Sequence, residues 1–558
     1  MKIASAYHVK KQLLMVVSLG LLTVSARAQK AAYCWENLPV ITRPSFKADT
    51  FNIISYGAKA DGITLNTESI NKAIEACNQN GGGVVLVPQG IWQTGPIQLK
   101  SNVNLHVSQM AILQFTADKS QYQLELGNYE GKKAVRNQSP ISGVNLENIA
   151  ITGHGIIDGH GEVWRAMGKG AVTERKWSQL TKTGVVSENG KTWYPSKSYA
   201  LGAQDEAART YVEGKNLEEY RAVKDYFRPN LLVLNGCKKV LLENVTFQNS
   251  PAWCLHTLMC ENLSFDGVKV RNEENAQNGD GFDIESCQYV SVENCVLDCG
   301  DDGITIKSGK DAEGRARGVA SAYMVIKNNV VYKAHGGFVI GSEMSGGAHD
   351  IFVSDCNFIG TATGLRFKTV RGRGGVVENI HIRNIGMRDI VSDAITFDMY
   401  YFTKKQPLGA DGNEPAAPSV DEGTPQFRNF YIDNIICDGA GRAMLFRGLP
   451  EMHIKGIHVS NARMVAEEGP EIVEASDITL DNVELHIKGK KTNGLMHIEN
   501  SHDVHISDLS AAYAHGPLFT IDGKRAKNIT LKGAGALKGH VQSQFRMGAT
   551  KAALSVVD

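Results

Sequence analysis

The sequence predicts an all-β chain folded as a right-handed parallel β-helix, closed at its N-terminal end by a cap helix. Three observations predict it. A short pattern, apolar-x-apolar-x followed by Asn, Asp or Gly, recurs along the chain. From Asn244 onward its copies lie 21 to 34 residues apart, with a single gap of 50. Four central units also align on an internal glycine, with apolar residues at the same two positions in each. Units of this length open on a period-2 strand and close on a turn residue, so they stack as rungs ~4.8 Å apart. A propeller would need longer antiparallel blades, and a leucine-rich repeat its own leucine framework.

The anchors of the pattern are Asn148, Asn244, Gly267, Asn294, Asn328, Asp355, Asn384, Asn434, Asn461, Asn482, Asp508 and Gly533. Their expected role is structural: turn residues that stack and hydrogen-bond from rung to rung. The double gap between Asn384 and Asn434 marks an extra loop.

The remaining elements follow in chain order. In residues 1–28, Lys10 and Lys11 precede the apolar run Leu13 to Val24, and Ala26-Arg27-Ala28 ends the stretch. That is the grammar of a secretory signal peptide, with cleavage near Ala28, and the run is too short for a permanent membrane span. Export to the periplasm or the exterior is expected. Residues 29–50 form an N-terminal extension, and 51–545 the β-helix. Within 66–79, Ile70, Ala73, Ile74 and Cys77 fall on one helical face, Thr67 can cap the start and "NGGG" ends the helix. A solenoid needs such a cap to cover its open core. Residues 160–228 break the rhythm with a polar, aromatic insertion, and long ordered loops of this kind are usually functional. Residues 546–558 read as a C-terminal tail.

Composition narrows the function. Fifty-nine basic residues balance 59 acidic ones, and no dense basic run appears, so nucleic acid is not the expected partner. Ten cysteines in 558 residues are too few for a disulfide scaffold. Several, such as Cys295 and Cys356, fall in strand positions that suit a buried thiol or a bridge equally. No Cys/His spacing suggests a metal site, and neither metal nor cofactor is expected.

The glycine-aligned units are "GDGFDIES", "DDGITIKS", "HGGFVIGS" and "ATGLRFKT", centred on Gly281, Gly303, Gly337 and Gly364. The first residue after each glycine is Phe282, Ile304, Phe338 or Leu365, and the third is Ile284, Ile306, Ile340 or Phe367. These face the core, so Asp283, Glu285, Lys307, Arg366 and Lys368 face outward. Asp283 and Glu285 suit a solvated surface or a functional one. Asp280 and Asp302 precede their glycines on neighbouring rungs, and Asp301 and His335 precede those in turn. On a regular strand Asp301 and Asp302 diverge, and the adjacent glycine would permit a bend that turns both to one cleft. Carboxylates so close split their pKa values, supplying an acid beside a base as glycosidic hydrolysis requires. Arg366 and Lys368 suit an anion, so the expected partner is an acidic polysaccharide.

The ordered set "NGDGFD", "CGDDGI", "HGGFVIGS" and "LRFK" resembles the four signatures of the family 28 glycoside hydrolases, the polygalacturonases. The resemblance extends from "FNIISYGAKADG" at 51–62 through the rungs. It implies a pectin-lyase-like solenoid and inverting, metal-free hydrolysis of α-1,4-galacturonosidic bonds. It implies Asp301 as general acid, and Asp280 and Asp302 as holders of the attacking water. It further implies His335 as the group tuning the acid, Arg366 and Lys368 as the grip on a galacturonate carboxylate, and Asn278 as a supporting contact. Gly279, Ala334 and Phe367 depart from the usual residues without removing a charged group. "NSPAWCLH" and "DMYY" add His256, Tyr400 and Tyr401 as substrate contacts, and "RGRGG" adds Arg371 and Arg373. "HGGFVIGSEMSGG" and "RGRGG" look like the exo-acting bacterial branch, in which the 160–228 insertion would block one end of the groove. A rhamnogalacturonan or xylogalacturonan hydrolase, a Ca²⁺-dependent pectate lyase and a non-catalytic pectin binder are the alternatives.

Overall fold

The computed structural model describes residues 33–557 except 410, 414–415, 490–493, 515, 534–536 and 538–541. The expected signal peptide lies outside the described residues. The chain divides into two units, Met1–Leu38 and Pro39–Asp558. In the first, Cys34 and Asn37 exchange backbone hydrogen bonds across a tight turn. The second unit is a right-handed parallel β-helix, in which 36 strands join in one continuous sheet.

The register follows the glycine alignment. Phe282 pairs with Ile304, Ile304 with Phe338 and Phe338 with Leu365. Ile284, Ile306, Ile340 and Phe367 form the parallel row, and all eight side chains are fully buried. Phe367 packs its ring 4.5 Å from that of Phe397 and 4.9 Å from that of Phe430, so an aromatic fills the core at the position where the sequence departs from the motif it resembles.

All twelve anchors adopt left-handed backbone conformation, with φ between 49° and 67°. Asn and Gly tolerate this region, where other L-residues lose about 1–2 kcal/mol. Their side chains form the expected ladder. Asn384 Nδ2 donates to Asp355 (2.9 Å), Asn434 to Asn384 (2.8 Å) and Asn482 to Asn461 (2.8 Å).

The internal glycines have a different use from the one expected. None of Gly281, Gly303, Gly337 and Gly364 is left-handed; each instead lies against the next wall of the coil. A Cβ at Gly337 would fall 2.3 Å from the Phe358 ring, and one at Gly303 2.6 Å from Val331. Close approach of walls, rather than a bend, is what demands glycine there.

The cap helix spans Thr67–Gln79 and buries Ile70, Ala73, Ile74 and Cys77. Thr67 does not cap it. Its hydroxyl accepts from Gly95 N at 2.6 Å, pinning the helix to the first coil, while Asn66 stands at the N-cap. The double gap is indeed a loop. Ile380 pairs directly with Phe430, so 399–425 leaves the solenoid between them. The solenoid outlasts the expected boundary at 545, because Leu554–Val557 pairs in register with Ile529–Lys532. All ten cysteines are free thiols, and Cys34 alone is exposed.

Two elements rise from the scaffold. The insertion carries a small antiparallel sheet (Met167–Gly168, Thr192–Tyr194, Val185–Val186) and short helices, among them Lys197–Gln204 and Leu217–Tyr226. The second element is a hairpin of Leu124–Tyr129 and Lys132–Asn137 that the repeat pattern does not reveal. Glu130 and Gly131 at its tip both have positive φ (49° and 74°), the geometry of a type I′ turn. Val135 packs with Tyr220, Val223 and Phe227 in a second small core, joining hairpin to insertion. The tip crosses several rungs, where Gly131 O accepts from Lys310 N (3.2 Å) and Lys133 N donates to Glu313 (2.8 Å).

The anchor column predicts a graded substitution series. Asn434→Ala places a β-carbon in left-handed backbone and removes one rung-to-rung bond, so it is expected to cost about 1–2 kcal/mol in urea unfolding. Asn434→Gly should cost clearly less. Equal losses would show that backbone conformation is not what selects asparagine.

Candidate active site

The register brings three carboxylates together. Gly281 N donates to Asp302 O (2.9 Å), which fixes Asp280 and Asp302 on adjacent rungs. His335 N donates to Asp301 O (2.9 Å), fixing the next pair. One carboxylate oxygen from each of Asp280, Asp301 and Asp302 lies within 4.8 Å of the other two. Asp301 reaches solvent, whereas Asp280 and Asp302 are buried.

Each acid has its own environment. Arg366 donates to Asp302 Oδ1 at 2.9 Å and Lys368 to Oδ2 at 2.6 Å, so both oxygens of Asp302 are held. Burial alone would raise this carboxyl, but Lys368 and Arg366 outweigh it and hold the group well below the usual carboxylate range. Asp280 is the opposite case. Burial, followed by the charges of Asp283 and Asp301, pushes it well above that range, and its Oδ1 has no hydrogen-bond partner among the described residues. Asp301 Oδ1 accepts from Asp302 N (3.0 Å) and lies 2.9 Å from His335 Nδ1. That hydrogen bond raises the His335 pKa above its ordinary value, against the opposing effect of burial. The cluster as a whole therefore keeps a proton at pH values where isolated carboxylates have lost theirs. Three carboxylates at this spacing also make a possible cation site, but both Asp302 oxygens and one Asp301 oxygen already hold Arg366, Lys368 and His335.

A buried ionic layer backs the trio. Asp283 and Glu285 face outward yet are wholly covered, so they are not solvated charges. Lys307 Nζ lies 3.1 Å from Glu343, 3.6 Å from Asp283 and 4.8 Å from the centre of the Trp253 ring. Burial would lower the Lys307 pKa, but Glu343 and Asp283 drive it above its ordinary value. Burial, joined by neighbouring acids, keeps Asp283 well above the carboxylate range in spite of Lys307. Glu285 joins His256 Nε2 (2.9 Å) and Arg317 (2.5 Å).

The other expected site residues divide into groups. Tyr401 joins the trio, its ring 4.9 Å from Lys368 Nζ and 5.7 Å from the Arg366 guanidinium. Asn278 lies at the edge, where its side-chain oxygen accepts from Arg228 (2.8 Å). His256 is buried in the ionic layer with Glu285, away from the trio. Arg373 is likewise buried, donating to Ser342 O and Asp311, and its guanidinium is taken up inside the protein. Arg371 pairs with Glu451 and sits over the Tyr400 ring (5.3 Å); both line a cavity beyond the trio.

Sequence reasoning placed Lys307 on the outer face but gave it no role, and it missed Glu343, Trp253 and the hairpin. Lys307 was legible as the outward fourth position of its strand, in line with Glu285 and Lys368. The hairpin was legible as alternating "LELGNY" and "KKAVRN" about a Glu-Gly turn. Tyr129 at its end places its ring 4.9 Å from that of Trp253. Residues 125–128 roof a cavity of about 390 Å³ over Ser142, Val233 and His256, on rungs N-terminal to the trio.

Residues 209–414 match the model of glycosyl hydrolases family 28, and residues 50–194 that of rhamnogalacturonase A/epimerase, pectate lyase-like proteins. A probable polygalacturonase of Vitis vinifera is 27% identical over 75% of this chain and 74% of its own length. An exo-poly-alpha-D-galacturonosidase of Dickeya chrysanthemi is 28% identical over 71% of this chain and 63% of its own. The crystal structure of a hyperthermoactive exopolygalacturonase from Thermotoga maritima superposes with a TM-score of 0.63 and 30% identity, covering 76% of this chain and 89% of that one. Four ordered motifs on matching rungs, together with a relative of this identity aligned over most of its length, show that the chain belongs to family 28 of the glycosyl hydrolases.

Proposed function

We propose that this protein hydrolyses α-1,4-galacturonosidic bonds of pectin from one chain end, by acid–base attack of water with inversion. The observation that supports this most is the trio itself: one carboxylate clamped and charged, one pushed toward its neutral form, and one open to solvent beside a histidine. In this reading the proton that the cluster retains passes from Asp280 to Asp301, the carboxyl that a sugar can reach, and Asp301 gives it to the leaving oxygen. Asp280, ionised by that transfer, and Asp302 hold the attacking water beneath it, and Asp280 takes the proton that the water loses. His335, protonated, keeps Asp301 oriented. Arg366, Lys368 and Tyr401 face the sugar carboxylate and ring at the cleavage point, and Asn278 supports them from the edge.

Inversion rests on Asp302 rather than on spacing. Inverting pairs usually stand about 6.5–9.5 Å apart, wider than this trio. Both oxygens of Asp302, however, are engaged by Arg366 and Lys368, which leaves a poor covalent nucleophile and a good holder of water. The exo reading draws on the hairpin 124–137, which with the insertion overhangs the rungs N-terminal to the trio. Export is part of the same proposal, from the charged and apolar pattern of residues 10–28. Among the described residues no helix is long and apolar enough to cross a membrane.

Three measurements test the reading. Asp301→Asn should lower kcat on polygalacturonate by ~10²–10⁴-fold while leaving the melting temperature and oligogalacturonate binding intact; an unchanged rate would overturn the role of Asp301. On polygalacturonate the wild-type enzyme should release mono- or digalacturonate from the first minutes, as the β-anomer by NMR; an early ladder of oligomers would refute exo action, and an initial α-anomer would refute inversion. The third concerns pH. His335 has a raised pKa, so its contact with Asp301 is complete below the ordinary histidine value of ~6.5 and is lost as pH rises through the higher folded value. The basic limb of kcat/KM should therefore lie above ~6.5, and His335→Gln should displace it. A limb that stays in place would assign it to another group.

A further inference from the structure

The insertion 160–228 and the solenoid enclose a cavity that neither the cleavage chemistry nor the closed end of the groove uses. Its volume is about 470 Å³, inside the range of ~300–1,000 Å³ in which small-molecule sites fall. The insertion supplies one wall, with Trp193 from the strand Thr192–Tyr194 and Lys176 and Gln179 from the helix Glu174–Leu180. Two turns of the solenoid supply the other, through Asn249 and Glu273. These follow Gln248 and Arg271, which pair on adjacent rungs. Both turns lead on to the groove strands Leu255–Leu258 and Phe282–Glu285, so the cavity touches the coil before the chain reaches the groove. None of its residues belongs to the trio, the clamp or the substrate contacts assigned above.

The lining is fixed before any ligand arrives. Trp193 Nε1 donates to Thr183 O (2.7 Å), which holds the indole in one orientation. Arg165, 2% exposed, donates to Glu273 (2.9 Å) and to Ser250 O (2.5 Å). Asn249 Nδ2 donates to Asp158 (3.0 Å). Such preorganisation lowers the ordering cost of binding. An indole offers an apolar face, and carboxylates and amides exchange hydrogen bonds with hydroxyls. That combination suits a sugar ring, apolar across its C–H face and polar at its edge. Charge then selects the sugar. The charged side chains of the lining are Glu162, Glu273 and Lys176, with the His160 ring 3.6 Å from Glu162. Arg165 offsets Glu273 from behind and Lys176 balances Glu162, so no surplus positive charge is left to hold an anion. A sugar carboxylate would face two protein carboxylates with one lysine to receive it, whereas a neutral sugar meets no such penalty.

We infer that this cavity is an accessory site for a neutral sugar, separate from the cleavage groove and filled independently of it. It takes an uncharged pyranose, with the ring face on Trp193 and the hydroxyls on Glu273, Gln179 and Asn249. Such a sugar reaches the site from either of two sources, as a branch on the galacturonan chain being cut or as part of a neutral chain beside it. The branch source rests on the galacturonan reading above; the site itself does not.

The test titrates the full-length protein with xylose, rhamnose and galactose, one at a time, and reads binding by ligand-observed NMR. At least one of them should bind with a Kd of ~1–10 mM, and galacturonate should bind clearly more weakly. Gln179→Trp, at an exposed position of its helix, should fill the cavity and weaken that sugar about tenfold or more. Glu162→Gln should strengthen galacturonate about fivefold, the size of one partly exposed charge contact. Both variants should keep the wild-type melting temperature. Absence of binding by every neutral sugar tried, equal binding of galacturonate, or an unchanged Kd in Gln179→Trp would each overturn the site. Two further arms separate the sources. A loss of kcat/KM in Gln179→Trp confined to xylose-branched galacturonan identifies a branch on the same chain, and a loss of retention on immobilised galactan identifies a neighbouring one. Neutral-sugar binding without any wild-type hydrolysis of polygalacturonate would uphold the site and overturn the galacturonan reading.

Discussion

Parallel pairing at one fixed rung spacing is the constraint from which the rest of this protein follows. The pairing of Phe282 with Ile304 and of Ile304 with Phe338 leaves no freedom in where Asp280, Asp302 and His335 stand. A slip of one residue would turn the whole row to the other face of the wall. Such a slip is blocked twice, by a core row with no exposed apolar side chain and by glycines at which any Cβ would meet the neighbouring wall. Precision at the site is thus a property of the scaffold rather than of its loops.

Around that fixed register, charge is arranged in two depths. The outer carboxylates face the groove. Behind them Asp283, Lys307, Glu343, Glu285 and Arg317 form a nearly dry ionic layer. Buried charges at this density cost desolvation energy and are weak evidence for stability. Their effect is on the neighbours instead: Lys307 sits close enough to Asp280 and Asp302 to offset part of the repulsion among the acids. Glu343, held down to about 2 by Lys307 and Lys368 against the effect of burial, stays charged and keeps Lys307 in position. A trio of acids can be packed this tightly because an immobile cation stands behind it.

The solenoid was legible in the sequence because its repeat is enforced at single residues. Each anchor must accept a left-handed backbone, so Asn, Asp or Gly recurs where the chain turns, and the period can be counted. The trio, His335, Arg366 and Lys368 were legible for the same reason, since the glycine alignment is a true rung alignment. What escaped depends on contacts between distant segments. Nothing near Asp283 or Glu285 announces that covering elements will remove them from water. Arg373 resembles Arg371 in its Gly-rich stretch, yet its partner Asp311 lies 62 residues away and takes the guanidinium inward. The hairpin went unseen because its alternation matches that of a rung strand, and only the Glu-Gly tip sets it apart.

That hairpin has a consequence for the order in which the molecule comes together. Its tip is held by Lys310, Asp311 and Glu313, about 180 residues downstream. Most coils of a solenoid close on the coil just made, a short loop with a modest entropic cost, whereas this bridge closes a far larger one. A growing chain can therefore wind its first coils early but has nothing to latch the strap onto until residues beyond 313 have emerged. The groove acquires its overhanging end as a late event of folding, after the acids beneath it are already aligned.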